Sequence, residues 1–157
     1  MLAQIYNYFD IETIYLWLNY GVLPMWFLLI FFPKLKINQI FITSIFLPLL
    51  FSAIYIYIFY QLIYLGENLL EVFNLYLSFD QLNALFSNER FLLLFWIHFL
   101  GINLFLGSWV SNDSMRYGMP RLLSGISLLL IYFTGPVGLV IYWFIRIFFA
   151  KKISLHD

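Results

Sequence analysis

Cysteine is absent from the chain, and histidine occurs only as His98 and His156. The first absence excludes disulfides, thiolate metal sites and iron–sulfur clusters. The second shortage leaves one intramembrane imidazole, which would need a symmetry mate for a bis-histidine haem site and more ligands than the chain offers for non-haem iron. No metal or redox cofactor is therefore expected. Charge is scarce as well: 10% of residues are charged, eight basic against eight acidic, while 64% are hydrophobic. A soluble domain is about a quarter charged, and one with so few charges could not wet its own surface. A bilayer solves that by acting as an apolar solvent for the outer faces. The zero net charge leaves no electrostatic footprint for nucleic acid. No basic segment precedes the first apolar run, where Asp10 and Glu12 stand instead. The first helix is thus expected to be its own uncleaved targeting signal.

What the chain does have is long apolar runs, and they predict an all-α, multi-pass membrane protein: one domain over 1–157, built as a bundle of four transmembrane helices. The spans fall at about 14–32, 40–64, 91–110 and 122–149, since about 20 apolar residues at about 1.5 Å each cross the hydrocarbon. Asn19, Gly21 and Pro24 predict a bend in the first. Tyr55, Tyr57, Tyr60 and Tyr64 mark an interfacial belt at the end of the second. Between the second and third, Glu67, Glu71, Asn74, Ser78 and Gln81 recur at helical spacing, which predicts an amphipathic interfacial helix over about 67–86. In the last span, Thr134-Gly135-Pro136-Val137-Gly138 predicts a break or kink near Pro136, with two half-helices as the alternative to one. Four crossings place Lys34, Lys36, Arg116 and Arg121 on one side and Arg90, Arg146, Lys151 and Lys152 on the other. That count is tied, so orientation stays open.

The third span organises the rest, because it carries His98 and Asn103 where polar groups need protein partners. A neutral histidine donates and accepts at once, which makes His98 the candidate proton shuttle; a carbonyl contact across the bundle is the structural alternative. His98 and Asn103 lie about 140° apart around the helix, at about 100° per residue, so one site need not hold both. Asn103, Gly107 and Ser111 form one stripe of small and polar residues, and Ser127, Thr134 and Gly138 on the fourth span form another. Such stripes let helices approach closely, and the two are expected to meet. Asp113, Arg116 and Arg121 are expected to form a solvated surface ion group, of little energetic weight. The aromatic share, 23%, supplies lipid-facing surface and wall material for a flat ligand.

Taken together, Trp96-x-His98, Asn103-Leu104-Phe105-x-Gly107-x-Trp109, Asp113, Gly118-x-Pro120, Gly135-Pro136-x-Gly138-Leu139 and Arg146 resemble the abscisic-acid-deficiency-four-type, neoxanthin-synthase-like membrane proteins. Leu23-Pro24-x-Trp26 and Pro48 extend the resemblance over most of the chain. It implies a four-helix membrane fold and a link to carotenoid-type lipids. The family pattern commonly has an acidic residue where this chain has Asn103, and an amide cannot transfer protons at ordinary pH.

Two readings follow. In one, the protein binds or acts on a carotenoid-type isoprenoid by non-redox acid–base chemistry, with His98 as the shuttle and Trp96, Asn103 and Trp109 contacting the ligand. In the other, it is a non-catalytic accessory subunit or pigment- and lipid-holding protein, a homo-oligomer or part of a larger membrane complex. A transporter is weaker, for want of room in four spans.

Overall fold

The computed structural model describes residues 10–42, 44, 46–64, 73 and 76–151. Six α-helices account for most of them: α1 (Ile11–Phe31), α2 (Phe46–Tyr64), α3 (Phe79–Phe86), α4 (Glu89–Arg116), α5 (Arg121–Thr134) and α6 (Pro136–Ala150). A π-helical turn, Asn38–Ile42, precedes α2. Three stretches are long and apolar enough to cross a bilayer: Ile11–Phe31, Ile40–Tyr64 and Glu89–Arg116. Of the interfacial helix expected over 67–86, Glu67, Glu71 and Asn74 lie outside the described residues, while Ser78 caps α3 by accepting from the Gln81 N–H at 3.3 Å.

The chain divides into two compact units, Met1–Tyr20 with Leu49–Phe99 and Gly21–Pro48 with Leu100–Asp157. In the first, Asp10 starts α1 by accepting from the Thr13 N–H at 2.9 Å. The Thr13 side chain and then its backbone N–H hold the Asp10 carboxyl below its ordinary pKa. Because the folded value is the lower one, this cap is complete above the ordinary carboxylate pKa and is lost as pH falls through the depressed one. One turn further in, Asn19 donates to the Tyr15 carbonyl at 2.7 Å and accepts from the Trp96 indole N–H at 3.2 Å. In this unit Ile14, Leu18, Ile58, Leu62, Leu93 and Ile97 are buried. Asn88 begins α4 by accepting from the N–H groups of Arg90 and Phe91, and Phe86 packs edge-on against Phe91 and Phe95.

In the second unit, Asn38 closes the C-terminal end of α1, donating to the carbonyls of Phe32 at 2.6 Å and Leu28 at 3.2 Å. The Leu28 carbonyl also takes the Phe32 N–H at 2.9 Å and the Phe32 carbonyl the Leu35 N–H at 3.1 Å, so the buried amide adds a second donor to each where Pro33 interrupts the helical ladder. Trp26, 4% exposed, lies on the backbone of α4: a Cβ at Gly107 would stand 2.6 Å from its ring. Its edge meets Tyr132 of α5 at 5.5 Å.

Over 122–149 the chain forms two helices of 14 and 15 residues instead of one. Gly135, at φ 62° and ψ −88°, ends α5 and starts α6, and Pro136 takes the first helical position, where no N–H is required. The turn is sharp. A Cβ on Gly138 would collide with the backbone of Leu130 and Ile131, eight and seven residues earlier, and one on Gly135 would collide with the Asn103 side chain. The stripe expected to bring Ser127, Thr134 and Gly138 onto α4 is therefore divided. Gly138 serves the α5–α6 contact, and Thr134 faces outward with its hydroxyl donating to the Leu130 carbonyl at 2.7 Å.

Gly138→Ala is expected to lower the melting temperature in detergent, because backbone atoms cannot yield to the new methyl. Gly21→Ala, with nothing within 4 Å of the added carbon, is expected to leave it unchanged or raise it. Equal losses in the two variants would contradict the close turn.

Candidate functional site

Near the C-terminal end of α4 the polar side chains are collected into one cluster. Asp113 Oδ2 accepts from Arg146 Nε at 2.6 Å and from the Tyr142 hydroxyl at 2.6 Å. Arg146 Nη2 donates to the Tyr117 hydroxyl at 3.3 Å, and its guanidinium lies 4.9 Å from the Tyr117 ring centroid. The edge of Trp109 meets Tyr142 at 5.8 Å between centroids. Helical spacing makes this possible, since 113 and 117 share one face of α4 and 142 and 146 share one face of α6. Arg146 is 2% exposed, Tyr142 0% and Asp113 9%.

Asp113 is thus buried and paired with Arg146, which corrects the expectation of a solvated ion group. In water such a pair contributes little, but removing one member of a buried pair costs about 3–5 kcal/mol because the other is left charged and dry. The arrangement is a clamp between α4 and α6. Its acid, its base and its phenol are all engaged with one another.

Asn103 lies ten residues earlier on α4, 4% exposed, against the Gly135 turn. Its Oδ1 faces the turn and its Nδ2 is buried without a partner. Gly107 meets Trp26, and Ser111, 2% exposed, lends its carbonyl to the Ser114 hydroxyl at 2.8 Å. Asn103, Gly107 and Ser111 are all buried, so this side of α4 faces protein.

His98 stands apart from these groups. It is exposed, in a stripe with Leu92 and Phe95, both of them exposed. No hydrogen bond to a described residue holds its ring. Trp96, two positions before it and about 200° around the helix, bonds Asn19 and stacks on Phe99 at 5.3 Å. Trp109 belongs to the second unit, where it packs on Tyr142; the aromatic neighbour on the stripe of His98 is Phe95. The Arg146–Asp113 and Tyr142–Asp113 bonds were not legible in the sequence, where the paired 113/117 and 142/146 spacings were the only signal.

Apolar helices of bilayer length, with serines, an amide and an ion pair turned inward, define a helical membrane protein. A family model described as ABA DEFICIENT 4-like matches residues 13–142, and the chain belongs to that family. No curated protein and no solved structure matches it.

Arg146→Met is expected to lower unfolding free energy in detergent by about 3–5 kcal/mol, with Asp113→Leu/Arg146→Met recovering much of that loss. A double variant as weak as the sum of its singles would show that the two residues act independently.

Proposed function

We propose that this is a multi-pass integral membrane protein that binds an oxygenated, carotenoid-type isoprenoid lipid at the outward face of α4, with His98 meeting its oxygen. One observation supports this most directly: an imidazole with no partner among the described residues projects from an apolar stripe, about 14 Å from the start of α4. At hydrocarbon depth such a group needs a partner from outside the chain, and water is not there to provide one. A hydroxyl, epoxide or carbonyl oxygen on an apolar molecule fits that need. Phe95 extends the stripe beside His98, and its ring face suits a long, flat, unsaturated chain.

A neutral imidazole donates from one nitrogen and accepts at the other, so it can deliver a proton at one atom of a ligand and remove one at another. Rearrangement of an oxygenated isoprenoid by proton movement alone requires no more than that, and moves no electrons to an external acceptor. Asn103 lies on another face, against the α5–α6 turn, and has no part in this step. The family to which the chain belongs agrees with a membrane location.

The second reading, an accessory subunit, is favoured by the same exposed stripe, on which a helix of a partner or of a second copy could supply an acceptor for His98. The two readings separate on purification from a membrane that contains oxygenated isoprenoids. Absorption spectra and mass spectrometry are expected to show a stoichiometric polyene with the wild-type protein. His98→Leu is expected to weaken its retention about tenfold, the loss of about 1.4 kcal/mol, without changing the melting temperature of the ligand-free protein. Equal retention by His98→Leu would remove His98 from the site. Co-purifying polypeptides released by His98→Leu, with no polyene in either sample, would favour the subunit.

A further inference from the structure

The Asp113–Arg146 bond fixes the direction of α6. α4 ends at Arg116 and α5 starts five residues later at Arg121, so both ends lie at the level of Asp113. Fourteen residues on, the chain turns at Gly135 against Asn103, which is midway along α4. From there α6 returns, and Arg146 reaches the same carboxylate from which α5 departed. A helix crossing to the other side could not make that bond. Each arm is about 21–23 Å long at about 1.5 Å per residue, short of the roughly 30 Å hydrocarbon.

The faces of the two arms say what surrounds them. Outward stand Leu122, Ile126, Leu129 and Phe133 on α5 and Val137, Val140, Phe144 and Phe148 on α6. Inward, beside Leu128 and Ile131, stand Ser124, Ser127, Gly138, Tyr142 and Arg146. Polar groups inside and apolar groups outside are the pattern of a hairpin embedded in lipid, the reverse of one lying in water.

We propose that α5 and α6 form a re-entrant hairpin that enters and leaves the bilayer on one side, with its Gly135 tip near the midplane, and that this side rests on the anionic cytoplasmic leaflet. The protein then crosses three times, by α1, by the stretch ending in α2, and by α4. Three crossings and a hairpin place Lys34, Lys36, Arg116, Arg121, Arg146 and Lys151 on one side, and of the described cations only Arg90 on the other. Among the described acids, Asp10, Glu12, Asp80 and Glu89 share the side of Arg90, and Asp113 alone lies with the basic group. The tie produced by four crossings becomes six to one. Such an excess of Lys and Arg marks the cytoplasmic side, where basic residues are attracted to the anionic surface.

The absence of native cysteine makes the test direct. Ser87→Cys, Pro120→Cys and Lys151→Cys, introduced singly, are labelled with a membrane-impermeant maleimide in vesicles of known orientation. Positions 120 and 151 are expected to react from the cytoplasmic side and position 87 from the opposite one. Labelling of 120 and 151 from opposite sides would establish a fourth crossing and overturn the hairpin. Shared labelling from the non-cytoplasmic side would overturn the assignment of the basic face to the anionic leaflet. Ligand retention by these variants is a separate readout, so failure of the topology and failure of the lipid-binding reading are distinguishable.

Discussion

A carboxylate on α4 and a guanidinium 33 residues later form a buried, hydrogen-bonded ion pair, and the course of the C-terminal third depends on it. With Asp113 near the end of α4, Arg146 can reach it only if α6 comes back towards the level where α5 began. The Gly135 turn makes the return possible. Its backbone takes a positive φ with a ψ that no L-residue adopts comfortably, and Pro136 removes the N–H that would have continued α5. Tyr142 then shares the Asp113 oxygen with Arg146, so neither the charge nor the phenol is left bare inside. Buried ion pairs are costly to assemble and costlier to break in half. This pair is better understood as fixing which way the chain goes than as adding net stability.

The same economy of polar groups runs through the second unit. Asn38 closes the last turn of α1, serines on α5 donate to carbonyls of their own helix, and Asn103 sits at the hairpin turn. The Asn38 and serine bonds are local answers to the requirement that polar atoms find partners where water is absent, whereas Asn103 keeps its Nδ2 buried with no partner among the described residues. In the first unit His98 differs, since its ring is exposed beside Phe95. An imidazole with no partner among the described residues, on an otherwise apolar face, draws its partner from the membrane or from another chain.

The helices were legible because bilayer-length apolar runs carry the strongest signal a sequence has, and α1 and α4 fall within a few residues of the spans read from composition. The break at Gly135-Pro136 was legible as well. Its consequence was not: a Gly-Pro pair permits a kink, a half-helix or a full reversal, and only Arg146 reaching back to Asp113 selects among them. The cluster was hidden for a similar reason, because its residues come from two helices and each looked ordinary alone, Arg146 as a headgroup cation and Asp113 as a loop charge. His98 stood out by its chemistry, but the spacing that put it on the exposed stripe was read as an inward face. Apolar residues encircle a lipid-embedded helix, so periodicity cannot distinguish its lipid side from its protein side.

The central claim is that the last two helices return to where they began, and a spin-label distance tests it most directly. Labels at Leu122 and Phe148, both well exposed, occupy the two open ends of the pair. Packed antiparallel helices lie about 8–10 Å apart axis to axis, so with label linkers the separation is expected to be below about 25 Å. A single crossing over the same residues would hold the labels about 39 Å apart at about 1.5 Å per residue, and a distance in that range would contradict the hairpin.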